Sequence, residues 1–184
     1  ADRKPNAQGW TELSREIGTP CVITDAAAAA ERDKFLKAVQ ANPELMPAPT
    51  VPPGPHAFSR PGDQHAGAVG PQARIRIGAR DGLFDDLVGH GFLLITVDPA
   101  ISDTLAGKHQ QFLNQIGARI AIVGPPGTDA PVIDVEGTYS RWLAEMGRTA
   151  ALVRPDFYLY GAASGPNDLI DLVDSLATHM GARI

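Results

Sequence analysis

Cysteine is almost absent from this sequence, which has a single one, Cys21, among its 184 residues. One sulfur forms no internal disulfide, and chains without disulfides suit a reducing compartment, so we expect a cytoplasmic protein. The Cys-x-x-Cys pair of dithiol oxidoreductases is excluded as well. Apolar runs of about 18 residues, the length that crosses a bilayer, are also missing. We therefore expect no membrane partner.

Basic residues are fewer than acidic residues in this sequence. The chain has 16 Lys and Arg against 21 Asp and Glu, which gives a net charge of −5. Binding to a phosphate backbone needs a basic surface, so we expect no nucleic-acid partner. At this length a single hydrophobic core is expected. The first residue is Ala1 and not methionine, and we therefore expect a piece of a longer gene product.

The first zone of the chain, residues 6–42, has the pattern of two helices. Trp10, Leu13 and Ile17 recur at helical spacing up to Gly18, which favours a helix end. Thr24 or Asp25 can cap a second helix that carries an apolar face. That face consists of Phe35, Leu36 and Val39.

Proline dominates the second zone, residues 43–71, which holds eight of the 16 prolines. Proline removes amide donors and biases the preceding residue away from helix, so regular structure is not expected there. Val51, Phe58 and Val69 would gain from burial. We therefore expect an extended connector that wraps over a neighbouring surface.

Residues 72–184 have the pattern of an α/β domain. Strands are predicted at 73–77, 92–97, 119–123, 149–153 and 157–160, and helices at 83–88, 103–116, 138–146 and 167–180. The runs at 92–95 and 120–123 are continuously apolar, as in strands covered on both faces. Strand–helix–strand, then a hairpin and a closing helix, is the order of a thioredoxin-like fold. We predict an α/β fold with a thioredoxin-like central sheet flanked by helices, preceded by two helices and a proline-rich extended segment.

Two segments of the sequence are candidates for sites of known chemistries. The first central strand is followed by residues 98–103, Asp-Pro-Ala-Ile-Ser-Asp, where a thioredoxin would need its two cysteines. Residues 124–128, Gly-Pro-Pro-Gly-Thr, resemble the start of a phosphate-binding loop, but the Gly-Lys-Ser/Thr that completes such a loop is missing. We interpret residues 124–128 as a turn. The glycines at 67–70 and 89–91 are too few for a dinucleotide fingerprint.

The remaining polar candidates form no catalytic or metal-binding set in the sequence. They are His56, His65, His90, His109, His179, Asp85, Asp86, Ser102, Ser140, Arg154 and Asp156. No histidine pairs with another at helical spacing, and neither serine lies in a Gly-x-Ser-x-Gly elbow. Arg154 and Asp156 flank a proline and favour a turn-stabilising pair, and Cys21 is expected to be a small buried hydrophobe. We assign no catalytic, cofactor-binding or metal-binding residue.

Five sequence segments together resemble the C-terminal third of FAD-dependent aromatic hydroxylases, most closely the 3-(3-hydroxyphenyl)propionate hydroxylase branch. They are Arg-Lys-Pro-Asn-Ala at 3–7, Cys-Val-Ile-Thr-Asp at 21–25 with the alanine run after it, Gly-Ala-Val-Gly-Pro-Gln at 67–72, residues 83–92, and Trp142-Leu143-Ala144 followed by residues 151–156. The chain departs from this family at Phe157, where glycine or a polar residue is common.

The resemblance implies a domain without redox cysteines in a parent enzyme that uses FAD and NAD(P)H. Residues 1–19 would be the last helix of the flavoprotein body, 20–71 a helix and proline-rich connector, and 72–184 the thioredoxin-like domain. Its partners would be the N-terminal FAD- and substrate-binding region of the same polypeptide and further copies of the chain. The FAD-binding Gly-x-Gly-x-x-Gly turn does not occur here, so we expect no bound cofactor and a non-catalytic structural or oligomerisation role. An apolar strip on residues 6–17 should then be exposed.

Two other functions remain open from the sequence. The chain could be a stand-alone thioredoxin-like binding or dimerisation module without redox activity, or a small hydrolase or transferase with an unrecognised site. The DNA immediately upstream of Ala1 distinguishes the first of these from a piece of a hydroxylase, because only the latter continues into a flavin-binding frame.

Overall fold

The structure is a computed structural model that describes residues 3–46, 58–182 and 184. It divides into two compact units, residues 1–55 and 56–184. Each unit is described by itself below.

The first unit consists of two helices. Helix α1 spans Arg3–Gly18, a 3₁₀ turn follows at Thr19–Val22, and α2 spans Ala26–Ala41 before a second 3₁₀ turn at Pro43–Leu45. The Asp25 carboxylate accepts the amide hydrogen of Ala28 at 2.9 Å, which caps α2 as the sequence predicts. Helix α2 ends where Pro43 prevents its continuation.

Neither helix of the first unit buries a described side chain. Trp10 is 41% exposed and Ile17 61%, and on α2 Phe35 and Leu36 are exposed as well. The exposed apolar strip expected on residues 6–17 is therefore present.

The second unit is built on a seven-stranded mixed sheet with the strand order β2-β1-β5-β4-β3-β6-β7. The strands are β1 Arg74–Ile77, β2 Arg80–Leu83, β3 Leu93–Thr96, β4 Arg119–Gly124, β5 Val132–Asp134, β6 Ala150–Val153 and β7 Leu159–Ala163. The helices are α3 Phe84–Leu87, α4 Ile101–Thr104, α5 Lys108–Gln115, α6 Thr138–Glu145 and α7 Pro166–His179.

The centre of this sheet has thioredoxin-like topology. Strands β3 and β4 are parallel, β6 lies antiparallel on the other side of β3, and β7 is antiparallel to β6. Helix α7 then closes the unit. The predicted fold class is confirmed.

Two hydrophobic clusters cover the two faces of the sheet. Because side chains alternate along a strand, Leu93 and Ile95 of β3 belong to one cluster and Leu94 to the other. The first cluster includes Phe84 of α3 with Tyr139 and Leu143 of α6, and the second is formed with α4, α5 and α7. All four residues of β3 are buried. The continuous apolar runs therefore correctly predicted strands covered on both faces.

Strands β2 and β5 are absent from the sequence prediction. Strand β2 reads Arg-Asp-Gly-Leu without a β-branched residue, and β5 is three residues long. Both are held by pairing with β1, which local sequence does not reveal. The single helix predicted at 103–116 is also wrong, because Gly107, with φ of +66°, separates α4 from α5.

Residues 58–71, which we call the edge segment, belong to the second unit and run along β7. Arg60 N donates to Tyr160 O at 2.7 Å, and Gly67 N donates to Leu159 O at 2.9 Å. Further along, Leu159 N donates to Ala68 O, and Gly70 N to Phe157 O. The segment thus pairs the free side of β7 and protects a sheet edge.

This packing corrects the predicted connector. Residues 47–57 lie outside the described part of the chain, but the edge segment is not a linker, and the packed unit begins before the predicted boundary at Gln72. Periodicity missed this because the edge segment contains turns and glycines instead of a regular apolar pattern.

Side chains fasten the edge segment to the end of the sheet. The Asp63 carboxylate accepts the amide hydrogen of Ala162 at 2.7 Å. The Arg60 guanidinium donates to Ala162 O at 3.0 Å and pairs with Asp168 at 2.7 Å. Gly161 lies beneath these groups, and a Cβ there would come within 2.9 Å of both Arg60 Cβ and Leu172 Cδ1. The attachment requires glycine at this position.

Replacing Gly161 with alanine should therefore lower the free energy of unfolding by about 1–3 kcal/mol, since the added methyl group forces the edge segment away from β7. Urea denaturation measures the change. Gly165→Ala is the matched control, because a Cβ at Gly165 meets nothing within 4 Å and φ there is 176°, an extended conformation. Equal stability of the two variants would contradict this account of the attachment.

Candidate functional site

The loop after β3 is where a thioredoxin holds its dithiol, and here it is a polar turn. The Asp98 carboxylate accepts the amide hydrogen of Ala100 at 2.9 Å. The Thr96 hydroxyl accepts from Asp98 N and donates to Thr149 O. These groups are used within the loop and its neighbouring strand. The side chain of Ser102 is outside the described part of the structure.

Residues 124–128 form a turn at the end of β4. The Thr128 hydroxyl donates to Pro125 O at 2.8 Å, and Gly127 has a φ of +88°. The hydroxyl that would face a phosphate is therefore directed to the turn's own backbone. The geometry agrees with the predicted turn.

The histidines are dispersed. His56 lies outside the described residues, while His109 Nε2 lies 3.0 Å from Asp174 Oδ1, a contact that joins α5 to α7. His179 Nδ1 lies 2.6 Å from the Tyr160 hydroxyl. Within the described ranges, no group of three or more His, Cys, Asp or Glu side chains could hold a metal ion. In the same ranges no helix is long and apolar enough to cross a membrane.

Arg154 is a structural group. Its guanidinium binds the Asp156 carboxylate through two contacts of 3.0 and 2.6 Å, which is the turn-stabilising pair predicted from the sequence. It also donates to Phe58 O at 2.8 Å, which ties the start of the edge segment to the β6–β7 turn. Ser140 Oγ is buried without a hydrogen-bond partner in the structure, so no base is positioned to activate it.

Cys21 is exposed, contrary to the expected burial. It lies in the 3₁₀ turn between α1 and α2, and this turn contains no buried residue. The neighbouring apolar residues favoured a core position, but none of the described residues of the first unit is buried, so no core among them covers the thiol.

The second unit has an apolar cleft of about 280 Å³ beside the β6–β7 turn. It is lined by Val69, Gly70, Pro71, Gln72, Phe84, Asp85, Leu93, Ile95, Val153 and Phe157. Buried side chains of β3 and β6 form part of it, whereas Val69 and Phe157 are exposed. Its polar side chains are Gln72 and Asp85, whose Nε2 and Oδ2 atoms are 2.6 Å apart. The adjacent Asp86 is exposed.

Tyr139 fixes one wall of this cleft. Its hydroxyl donates to Pro71 O at 3.2 Å and accepts from Ala73 N at 3.3 Å, and its ring lies 4.8 Å from that of Phe84. Burial raises the pKa of the Tyr139 phenol well above its usual value. Burial also raises the pKa of Tyr160, which hydrogen-bonds Ser175 on α7.

Taken together, the fold and these sites define a thioredoxin-like domain. The loop after β3, where a thioredoxin has its dithiol, and the loop after β4, which resembles the start of a phosphate-binding loop, are both polar turns. Residues 67–179 match the family described as HcaD C-terminal domain. This stretch is more than half of the chain, and the chain belongs to that family.

Three relatives place this domain in longer proteins. The chain is 31% identical over 181 residues to a protein named probable NADH-specific resorcinol 4-hydroxylase from Rhodococcus jostii (strain RHA1), covering 96% of this chain and 33% of that protein. The structure resembles OxyS anhydrotetracycline hydroxylase from Streptomyces rimosus (TM-score 0.55, 20% identity, 100% of this chain and 35% of that one). It also resembles the flavin-dependent monooxygenase PieE (TM-score 0.50, 20% identity, 95% and 32%). The chain spans about a third of the length of these relatives.

The raised pKa of Tyr139 predicts a loss of stability in alkali. Below pH 10 the phenol is protonated in both states, so its contribution is complete; above pH 10 the unfolded chain releases a proton that the folded chain keeps. Stability should fall by about 1.4 kcal/mol per pH unit for each such tyrosine. Urea denaturation at pH 9 and 11 should show a smaller fall for Tyr139→Phe than for the unmodified chain.

The control is Tyr158→Phe, whose side chain is only half-buried and which should retain the full alkaline loss. At pH 7 Tyr139→Phe should itself cost about 1–3 kcal/mol, because Ala73 N and Pro71 O lose their partner. An unchanged alkaline slope in Tyr139→Phe would refute the assignment.

Proposed function

We propose that this chain is the C-terminal domain of an FAD-dependent monooxygenase that hydroxylates a phenolic ring at the expense of NAD(P)H. The observation that carries the proposal is the family match over residues 67–179 together with the 31% identity that extends over 96% of the chain. FAD, NAD(P)H and the substrate would be bound by the rest of the longer polypeptide.

The proposed substrate is a small phenol. The relative's name refers to resorcinol, while the sequence resembles the 3-(3-hydroxyphenyl)propionate hydroxylase branch. Both compounds carry a hydroxyl on a single aromatic ring, which activates the ring towards oxygen insertion. These two compounds are the first to assay.

The proposed role of the domain is structural. In the described residues, the polar groups weighed as catalytic candidates mostly serve the fold: Asp98 caps a turn, Arg154 anchors the edge segment and His109 joins two helices. The exposed apolar side chains of α1 would be covered by the flavoprotein portion. Association of copies through this domain is part of the proposal.

A stand-alone binding module is the second candidate. Its support is that the second unit has a hydrophobic cluster on each face of its sheet, as a self-contained fold requires. The DNA preceding Ala1 discriminates between the two candidates. An open frame that encodes a Gly-x-Gly-x-x-Gly strand–turn–helix supports the hydroxylase, and a stop codon supports the module.

Absorption by flavin tests whether FAD is bound by the rest of the longer polypeptide and not by this chain. The longer polypeptide should be yellow, with absorbance near roughly 450 nm from oxidised flavin, and should oxidise NADH or NADPH when a phenol is added. The purified 184-residue chain should be colourless and should show no flavin after incubation with FAD and gel filtration. Flavin retained by the 184-residue chain would contradict the proposal.

The substitution Ile17→Ser tests whether the flavoprotein portion covers α1. Because Ile17 is 61% exposed, the substitution should change the stability of the 184-residue chain by less than about 0.5 kcal/mol. In the longer polypeptide it should cost about 1–3 kcal/mol, since an apolar contact is lost. Thermal unfolding of both proteins measures the difference. Gln8→Ser, nine positions earlier and on the opposite side of α1, should have little effect in either.

A further inference from the structure

The apolar cleft brings together separate parts of the sequence. The segments of the second unit by which the chain resembles aromatic hydroxylases include residues 67–72, 83–92 and 151–156. Seven of the ten residues that line the cleft lie in these three segments. They are Val69, Gly70, Pro71 and Gln72, then Phe84 and Asp85, and Val153. Residues that are far apart in the chain but similar to one enzyme family thus meet at one surface.

Two apolar side chains at the rim of the cleft, Val69 and Phe157, are exposed. Val69 is 58% exposed and Phe157 is 44% exposed. Phe157 also has a φ of +67°, and it is the only residue other than glycine with positive φ in the described chain. A bulky side chain in the left-handed region costs about 1–2 kcal/mol, which asparagine or glycine would largely avoid. A large part of the ring surface nevertheless stays in contact with solvent in this domain.

The cleft also has an unpaired negative charge. Asp85 accepts from the neutral Gln72 amide, and none of the ion pairs among the described residues includes it. Asp156 nearby is already paired with Arg154. An apolar surface bordered by one unpaired carboxylate is complementary to an apolar side chain that is accompanied by a lysine or arginine.

We propose that this cleft is the surface by which the second unit docks on the flavoprotein portion of the same polypeptide, which inserts an apolar side chain between Val69 and Phe157 and presents a cation to Asp85. The inference rests on the proposed function. The cleft is lined by ten residues, fewer than the roughly 20–30 residues that each partner contributes to a stable interface between separate chains. It suffices for a covalently tethered neighbour, because tethering makes the encounter intramolecular.

Thiol labelling tests whether the cleft is covered. Val69→Cys is made in a Cys21→Ser background, which removes the one native thiol. The labelling rate with a maleimide is compared between the 184-residue chain and the longer polypeptide. It should fall by roughly tenfold or more in the longer polypeptide, because a covered site reacts only when the contact opens. Val97 is 37% exposed, directly follows β3 and lies outside the cleft. The labelling rate of Val97→Cys should therefore differ by less than about twofold between the two proteins.

Each outcome separates the possibilities. Equal labelling of Val69→Cys in a longer polypeptide that binds flavin overturns the docking inference alone. Protection in the 184-residue chain that increases with protein concentration also overturns it, since a second copy is then the occupant. Failure to find any longer flavin-binding polypeptide overturns the proposed function and this inference together.

A second variant separates docking from folding. Phe157→Asn removes the ring but keeps a residue that tolerates positive φ, so the 184-residue chain should be as stable as before or slightly more stable. In the longer polypeptide the same change should restore fast labelling of Val69→Cys. Loss of stability in the 184-residue chain, or continued protection in the longer polypeptide, would overturn the role of Phe157.

Discussion

The pairing of the edge segment with β7 is the contact on which the second unit depends. Backbone amides of residues 60–70 donate hydrogen bonds to carbonyl groups on the outer side of β7 and of the turn before it. The side chains of Asp63 and Arg60 also bind the backbone of Ala162. The same segment then supplies Val69–Gln72 to the apolar cleft. One stretch without regular secondary structure therefore both closes the sheet and forms part of the apolar cleft.

Several polar side chains form hydrogen bonds within the protein, whereas several apolar side chains are exposed to solvent. Carboxylates and guanidinium groups that could have served a reaction are used as caps and ties, as with Asp25, Asp98 and Arg154. Exposed apolar side chains occur on α1 and at the rim of the cleft. That distribution supports the proposed structural role; the chain spans about a third of the length of the proteins it resembles.

Local sequence predicted the elements that bury a strong apolar pattern. Continuous apolar runs predicted β3 and β4, and the apolar pattern of residues 167–180 predicted the closing helix α7. Local sequence failed where pairing decides the conformation, as in β2, β5 and the edge segment, and where a nearby core decides burial, as for Cys21. The cleft was not predicted, because its walls come from residues 69–95 and from Val153 and Phe157, which become neighbours only after folding.

By itself, the sequence determined the thioredoxin-like order of elements, the absence of a dithiol and the resemblance to aromatic hydroxylases, because each depends on residue types and their spacing along the chain. The tertiary structure alone decided which edge is closed, where Phe157 lies and that Asp85 borders the cleft with only the Gln72 amide as its side-chain partner. The physical reason is that a strand edge, a cleft and an ion pair are relations between distant segments, and these relations exist only after the sheet has assembled.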